Sequence, residues 1–189
     1  MMGSYLSRGV LIIAVLLVSM QTVIANRIPG DIDIVELQLS FTDAKWDGKI
    51  IPSGQQCLEY GGNGASPGIT VEGIPHRADK IILEFSDATY SPCDNGGHGI
   101  IGYQLPQRST AINIPSIPGQ TFELPEGFIL IKEHCGADLI MQRGAYIGPC
   151  PGIGNRYYVT IKAVRQGEGN SSEIMLGMGT LELGTYLYE

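Results

Sequence analysis

The stretch 144–164, GAYIGPCPGIGNRYYVTIKAV, joins a Gly/Pro loop to an alternating run, and no other segment constrains the fold as tightly. Gly144, Gly148, Pro149, Pro151, Gly152 and Gly154 have no place in a regular helix and suit turns. Beyond them Tyr157, Val159, Ile161 and Ala163 fall on one face, while Tyr158, Thr160 and Lys162 fall on the other. A period of two is the mark of a half-buried strand. A rigid loop feeding such a strand carries backbone N–H groups that the ladder does not use, so it is a good place to seat a ligand.

The same signal recurs along the chain. Residues 35–41 (VELQLSF) alternate as a first strand, and 69–72 (ITVE) form a short one that Gly73 ends. Residues 80–85 (KIILEF) are apolar enough for a central strand. Residues 100–105 resume as strand until Pro106, and 122–131 read as a strand pair interrupted at Pro125-Glu126-Gly127. The Gly-punctuated tail, 173–188, is more strand than helix. Between these lie loops at 61–68 and 87–99, and a surface loop is expected at 107–119, where Pro115 and Pro118 stand without periodicity. Residues 134–143 leave room for one short helical turn. Short strands separated by turns predict an all-β, two-sheet antiparallel sandwich, or a barrel, with at most one or two short helices.

The N-terminus is expected to stand outside that body. Arg8 precedes the apolar run 10–18, and Val23-Ile24-Ala25 offers a cleavage site before Asn26, the form of a signal peptide over 1–25. The alternative is a retained anchor, but the apolar core is short against the ~20 residues a spanning helix needs. Residues 26–189 suit one domain, secreted once the segment is removed. Removing 1–25 takes only Arg8 from the charge count, leaving 11 basic against 19 acidic residues, a net of −8. That balance excludes nucleic acid as a partner, since phosphates need compensating Lys and Arg. It also argues against simple electrostatic docking on anionic lipid. The four cysteines, Cys57, Cys93, Cys135 and Cys150, suggest two disulfides in an oxidising compartment. Three pairings are possible and the sequence does not choose; proximity leans towards Cys135–Cys150, leaving Cys57–Cys93. Asn170-Ser171-Ser172 is a glycosylation sequon in a polar stretch.

Several motifs, in order and spacing, resemble the phosphatidylethanolamine-binding protein (PEBP) family, in particular its bacterial kinase-inhibitor-like branch. They are Phe41 with Asp47-Gly48-Lys49-Ile50-Ile51-Pro52; Cys57 with Gly62-Asn63-Gly64-Ala65-Ser66-Pro67; Gly73-Ile74-Pro75 followed by the run to Asp87; Gly148-Pro149-Cys150-Pro151 with Asn155-Arg156-Tyr157; and Leu181-Glu182-Leu183-Gly184-Thr185-Tyr186. The resemblance covers about residues 39–186. It implies a two-sheet antiparallel fold with a small cavity for phosphate or the phosphoryl head group of a phospholipid. It also implies a binding or regulatory protein, kinase and protease inhibitors included, not an enzyme, and no cofactor.

The family cavity is built from an Asp-Pro-Asp-x-Pro loop, a strand histidine, a Gly-Pro-x-Pro loop and the histidine of a His-Arg-Tyr motif. Carried over, the ligand-binding positions are Asp87, His98, Gly148, Pro149, Cys150, Asn155 and Tyr157. The departures fall on this site: Thr89 replaces the second acid, Pro92 sits one position late, Gly152 replaces a proline and Asn155 replaces a histidine. A histidine can donate a charge-assisted bond near pH 6, whereas Asn155 donates only a neutral one, roughly half as strong. The expectation is a pocket that binds anions weakly or takes a less charged ligand. In it Asp87 would accept from an amine or hydroxyl, and His98 and Asn155 would donate to an oxygen.

Plainer roles compete for the same residues. Asp87 suits a turn-capping carboxylate, and His98, among Gly96, Gly97 and Gly99, suits a solvated loop. His76 beside Arg77 suits an exposed turn. His134, Cys135 and Cys150 lack metal-ligand spacing, so no metal site is expected. Ser66 lacks a nucleophile elbow, which leaves a hydrolase built on Ser66, His98 and Asp87 as the least supported alternative. The stronger alternative is a regulatory or inhibitory protein that meets a protein target through surface loops.

Overall fold

A computed structural model of the chain describes residues 33–136, 141–150, 154–167 and 172–187. The expected signal segment, the sequon at Asn170, Pro151, Gly152 and part of the expected helical turn at 134–143 lie outside the described residues.

Among the described residues the regular structure is strand, apart from short 3-10 turns such as Leu58–Tyr60 and Ser91–Cys93. The strands are β1 (Val35–Glu36), β2 (Gln38–Phe41), β3 (Ile69–Glu72), β4 (Lys80–Asp87), β5 (Gly99–Gln104), β6 (Ala111–Ile114), β7 (Phe128–Lys132), β8 (Arg156–Arg165) and β9 (Ile174–Thr185). They form a six-stranded sheet in the order β1-β9-β8-β4-β5-β7 and a three-stranded sheet in the order β2-β3-β6. The all-β, two-sheet expectation is therefore correct. Every pairing between these strands is antiparallel except β1 with β9, which is parallel. No helix in the described residues is long and apolar enough to cross a membrane.

The period-2 pattern of β8 becomes packing directly. Tyr157, Val159, Ile161 and Ala163 are buried, and Tyr158, Thr160 and Lys162 are only partly covered. Strand β4 is paired on both sides, with β8 and β5, which explains its near-continuous apolar sequence. From the small sheet, Ile69, Val71 and Ile114 join the same core cluster as Leu83, Phe85, Val159 and Ile161. Each fully buried side chain of this kind contributes roughly 1.5–3 kcal/mol relative to exposure.

Three local expectations need correction. The run 35–41 is not one strand, because it changes sheets at buried Leu37: β1 pairs with β9 and β2 with β3. The expected surface loop at 107–119 contains β6, which completes the small sheet by pairing with β3. Of the expected pair at 122–131, only β7 forms; a turn in which Phe128 N–H donates to Pro125 C=O (3.2 Å) leads into it.

Candidate functional site

Asp87 is the last residue of β4, opposite Tyr157 of β8 in the ladder. From there the chain leaves the sheet in a loop that Asp87 itself organises. Thr89 N–H (2.7 Å) and Tyr90 N–H (3.2 Å) donate to its Oδ1, an Asx-type turn. Asn155 Nδ2 donates to its Oδ2 at 2.6 Å. The turn-capping and cavity roles therefore coincide in one side chain, which is 2% exposed.

The loop returns to β5 when His98 N–H bonds Phe85 C=O (2.9 Å). Close packing admits only glycine beside it: a Cβ on Gly99, at φ +121°, would lie 2.2 Å from the Ala145 carbonyl oxygen. His98 is buried, not a solvated loop residue, and its Nδ1 lies 3.0 Å from Ile147 C=O. A carbonyl only accepts, so Nδ1 carries the proton, and in the neutral ring Nε2 is a lone-pair acceptor. Burial holds the imidazole below its ordinary value, against the opposing pull of the Ile147 bond and of Asp87. His98 thus accepts at neutral pH, where donation was expected. Its ring meets Tyr157 edge-on, with centroids 5.3 Å apart. The Tyr157 hydroxyl donates to Cys150 C=O (3.1 Å), and burial, reinforced by Asp87, pushes its phenol pKa up.

Asp87, His98 and Asn155 converge on one cavity of about 210 Å³, together with Tyr90, Cys93, Cys135, Gly136, Met141, Ile147 and Cys150. Among the described residues no lysine or arginine lines it. The other expected positions stand behind the wall. Tyr157 and Pro149 line an inner cleft too tight for water. Gly148 packs against the 61–68 loop, where a Cβ would come within 2.7 Å of Gly64 Cα. Of the described residues of the expected Gly-Pro loop, Cys150 alone lines the cavity.

The disulfides are Cys57–Cys150 and Cys93–Cys135, not the Cys135–Cys150 and Cys57–Cys93 that proximity suggested. The backbone gives the reason. Cys57 N–H bonds Pro149 C=O (3.0 Å) and Cys135 N–H bonds Gly97 C=O (2.7 Å), so each cysteine is docked beside its distant partner's loop. Cα separations of 5.1 and 5.7 Å suit a bridge. Both bridges stiffen the cavity wall. Glu59 lies near Cys57 and Cys150, but both sulfurs are spent on their mutual bond, so no thiolate is left for a metal.

Gln120 is a hub that the sequence did not reveal. It is fully buried with φ +51°, and its Nε2 donates to both Glu59 carboxylate oxygens (2.7 and 2.8 Å). Its Oε1 accepts from Leu58 N–H (2.7 Å), and its carbonyl accepts from Gln142 Nε2 (2.8 Å). Burial disfavours the ionised form of Glu59, but bonds from Gln142 N–H and Gln120 outweigh this and leave its carboxyl below the usual range. The Pro118-Gly119 pair marked a turn here, but nothing in the sequence marked the glutamine.

No family profile matches the chain, and no curated protein matches it in sequence. Solved structures do resemble it. A phosphatidylethanolamine-binding protein homolog from Chlamydia trachomatis is 19% identical, with a TM-score of 0.50, over 82% of this chain and 99% of its own. YbcL of Escherichia coli, a member of the mammalian PEBP family, is 16% identical, with a TM-score of 0.56, over 82% of this chain and 100% of its own. At such identities the likeness speaks to architecture, and in architecture the chain is PEBP-like.

Proposed function

We propose that the chain is a secreted, non-enzymatic binding protein whose cavity takes a small hydrogen-bond-donating group, such as the ammonium of an ethanolamine head group, and takes free phosphate poorly. The observation that carries this is the character of the cavity: an Asp87 carboxylate, a His98 acceptor nitrogen and the Asn155 amide, with no cationic side chain among the lining residues. An anion there would meet like charge with no cation to offset it, and like charge at close range is costly in a poorly solvated site. Tyr90 adds an aromatic surface of the kind that attracts ammonium groups. The names of the two structural relatives agree with an ethanolamine-type ligand.

Secretion is supported by the leader-like segment 1–25 and the two disulfides. The absence of catalysis is supported by Ser66, whose buried hydroxyl donates to Pro67 C=O (3.1 Å) and accepts from Ile117 N–H (2.9 Å), away from the cavity lining. Calorimetry with ethanolamine, phosphorylethanolamine and inorganic phosphate tests the proposal. Ethanolamine should bind and Asp87→Ala should abolish that binding, while phosphate alone should bind no tighter than the millimolar range. Micromolar phosphate binding, or ethanolamine binding unchanged in Asp87→Ala, would overturn it.

A further inference from the structure

The cavity has two unlike walls. One is polar and ends on Asp87. A carboxylate has about four acceptor positions. Thr89 N–H and Tyr90 N–H take both positions on Oδ1, and Asn155 Nδ2 takes one on Oδ2, so a position on Oδ2 remains for a guest. The other wall is sulfur and hydrocarbon, and it is continuous. The Cys93–Cys135 bridge leads into Gly136, over which Ile147 packs so closely that a Cβ would lie 3.1 Å from Ile147 Cδ1. Gly136 C=O accepts from Met141 N–H (3.1 Å), and Met141 Sδ lies 3.4 Å from Cys150 Sγ. Tyr90 joins the walls: its N–H donates to Asp87 and its C=O accepts from Cys93 N–H (2.9 Å).

The backbone donors along the second wall are already spent. Cys93 N–H bonds Tyr90 C=O, Cys135 N–H bonds Gly97 C=O (2.7 Å) and Ile147 N–H bonds His98 C=O (3.1 Å). Gly136 N–H donates to His134 Nδ1 (3.0 Å), and Met141 N–H is bonded to Gly136 as above. A phosphoryl oxygen reaching this wall would find neither these N–H groups nor, among the described residues, a lysine or arginine. The cavity also has more room than an ethanolamine needs. At about 30 Å³ for a group the size of water, its volume of about 210 Å³ holds roughly seven such groups, against about four in ethanolamine. With the ammonium on Asp87, the surplus room lies along the apolar wall.

We propose, resting on the ammonium reading above, that the guest is a primary ammonium carried on a short, unbranched apolar arm and not one followed by a phosphoryl group. The ammonium donates to Asp87 Oδ2. The arm lies against the Cys93–Cys135 bridge, Met141 and Ile147, where burial of hydrocarbon and not hydrogen bonding supplies the affinity.

Calorimetry with ethylamine, butylamine, hexylamine and octylamine, beside ethanolamine, phosphorylethanolamine and hexanol, tests this. Each added methylene should tighten binding about fourfold. The gain should stop near hexylamine, whose roughly seven heavy atoms fill the cavity. Hexanol, which has the arm without the charge, should bind about tenfold more weakly than hexylamine or worse. Phosphorylethanolamine should bind more weakly than ethanolamine. Met141→Gln, which sets an amide on the apolar wall, should lower the ratio of hexylamine to ethanolamine affinity about tenfold, with circular dichroism to verify folding. Ethanolamine that binds and needs Asp87, with no gain along the series, overturns the arm and leaves the ammonium reading standing. Failure of every amine to bind overturns both. Hexanol as tight as hexylamine, phosphorylethanolamine tighter than ethanolamine, or a ratio indifferent to Met141→Gln also overturns the proposal.

Discussion

The two disulfides can be tested as a pair because one loop lies inside the other. Cys93–Cys135 spans 42 residues and Cys57–Cys150 spans 93. With the inner bridge intact, the outer one constrains only the 93-residue span less the nested 42, about 51 residues. The chain-entropy relation then assigns about 4 kcal/mol to the outer bridge, and a similar figure to the inner one, before any change in native-state strain. Against a usual total of about 5–15 kcal/mol, either loss is large but survivable. The double variant Cys57→Ala/Cys150→Ala should lose about 4 kcal/mol in urea unfolding, with a Tm fall of about 8–16 °C for a domain of this size.

The mismatched variant Cys57→Ala/Cys93→Ala is the sharper test. It breaks both bridges and orphans Cys150 and Cys135, which come from different bridges. It should lose nearly twice as much stability and expose two titratable thiols after denaturation under non-reducing conditions. If it instead shows no free thiol and loses no more than the matched pair, Cys135 is bonded to Cys150. The backbone docking of Cys57 on Pro149 and of Cys135 on Gly97 would then not describe the native loops.

Further outcomes follow from the site. Burial holds both His98 and His134 below their ordinary values, so the unfolded chain takes up protons first as pH falls. Their contribution is whole above an unfolded pKa of about 6.5 and shrinks below it; urea midpoints that stay level from about pH 7.5 to 5 would contradict this. Gln120→Ala strips the Glu59 carboxylate and Leu58 N–H of their buried partner and should cost about 3 kcal/mol or more by thermal unfolding. Asn155→His should raise phosphate affinity about tenfold below pH 6.5 and leave it unchanged near pH 8, as read by calorimetry.

Much of the fold was legible because burial follows period. The faces of β8 and the central place of β4 follow from Tyr157, Val159, Ile161 and Ala163 and from the run 80–85. Alternation cannot say which sheet a strand joins, so the change of sheet at Leu37 was hidden. Strand β6 was missed because its four residues lie just before Pro115, and only pairing with β3 makes them a strand. The convergence of Asp87, His98 and Asn155 was legible through the family resemblance, not through any local pattern. Which atoms remain for a ligand was not legible: the Ile147 carbonyl fixes the His98 proton, and Asp87 claims one Asn155 N–H.

That last bond changes what replacing a histidine by Asn155 means. Read from the sequence, the substitution removes a cation from an anion site. In the folded chain the amide does not stand in the cavity as a spare donor; it joins Thr89 and Tyr90 N–H in bonding the Asp87 carboxylate. Three neutral donors orient a carboxylate and bring no positive charge of their own. The site therefore keeps an acid oriented and an imidazole whose Nδ1 is bound to Ile147 C=O, and among the described residues it offers no positive side chain in return. This is the ground for proposing a guest that brings the positive charge or the hydrogen itself. On the proposed function, the Asn155 bond to Asp87 belongs to a site of reversed polarity and not to a weakened phosphate site.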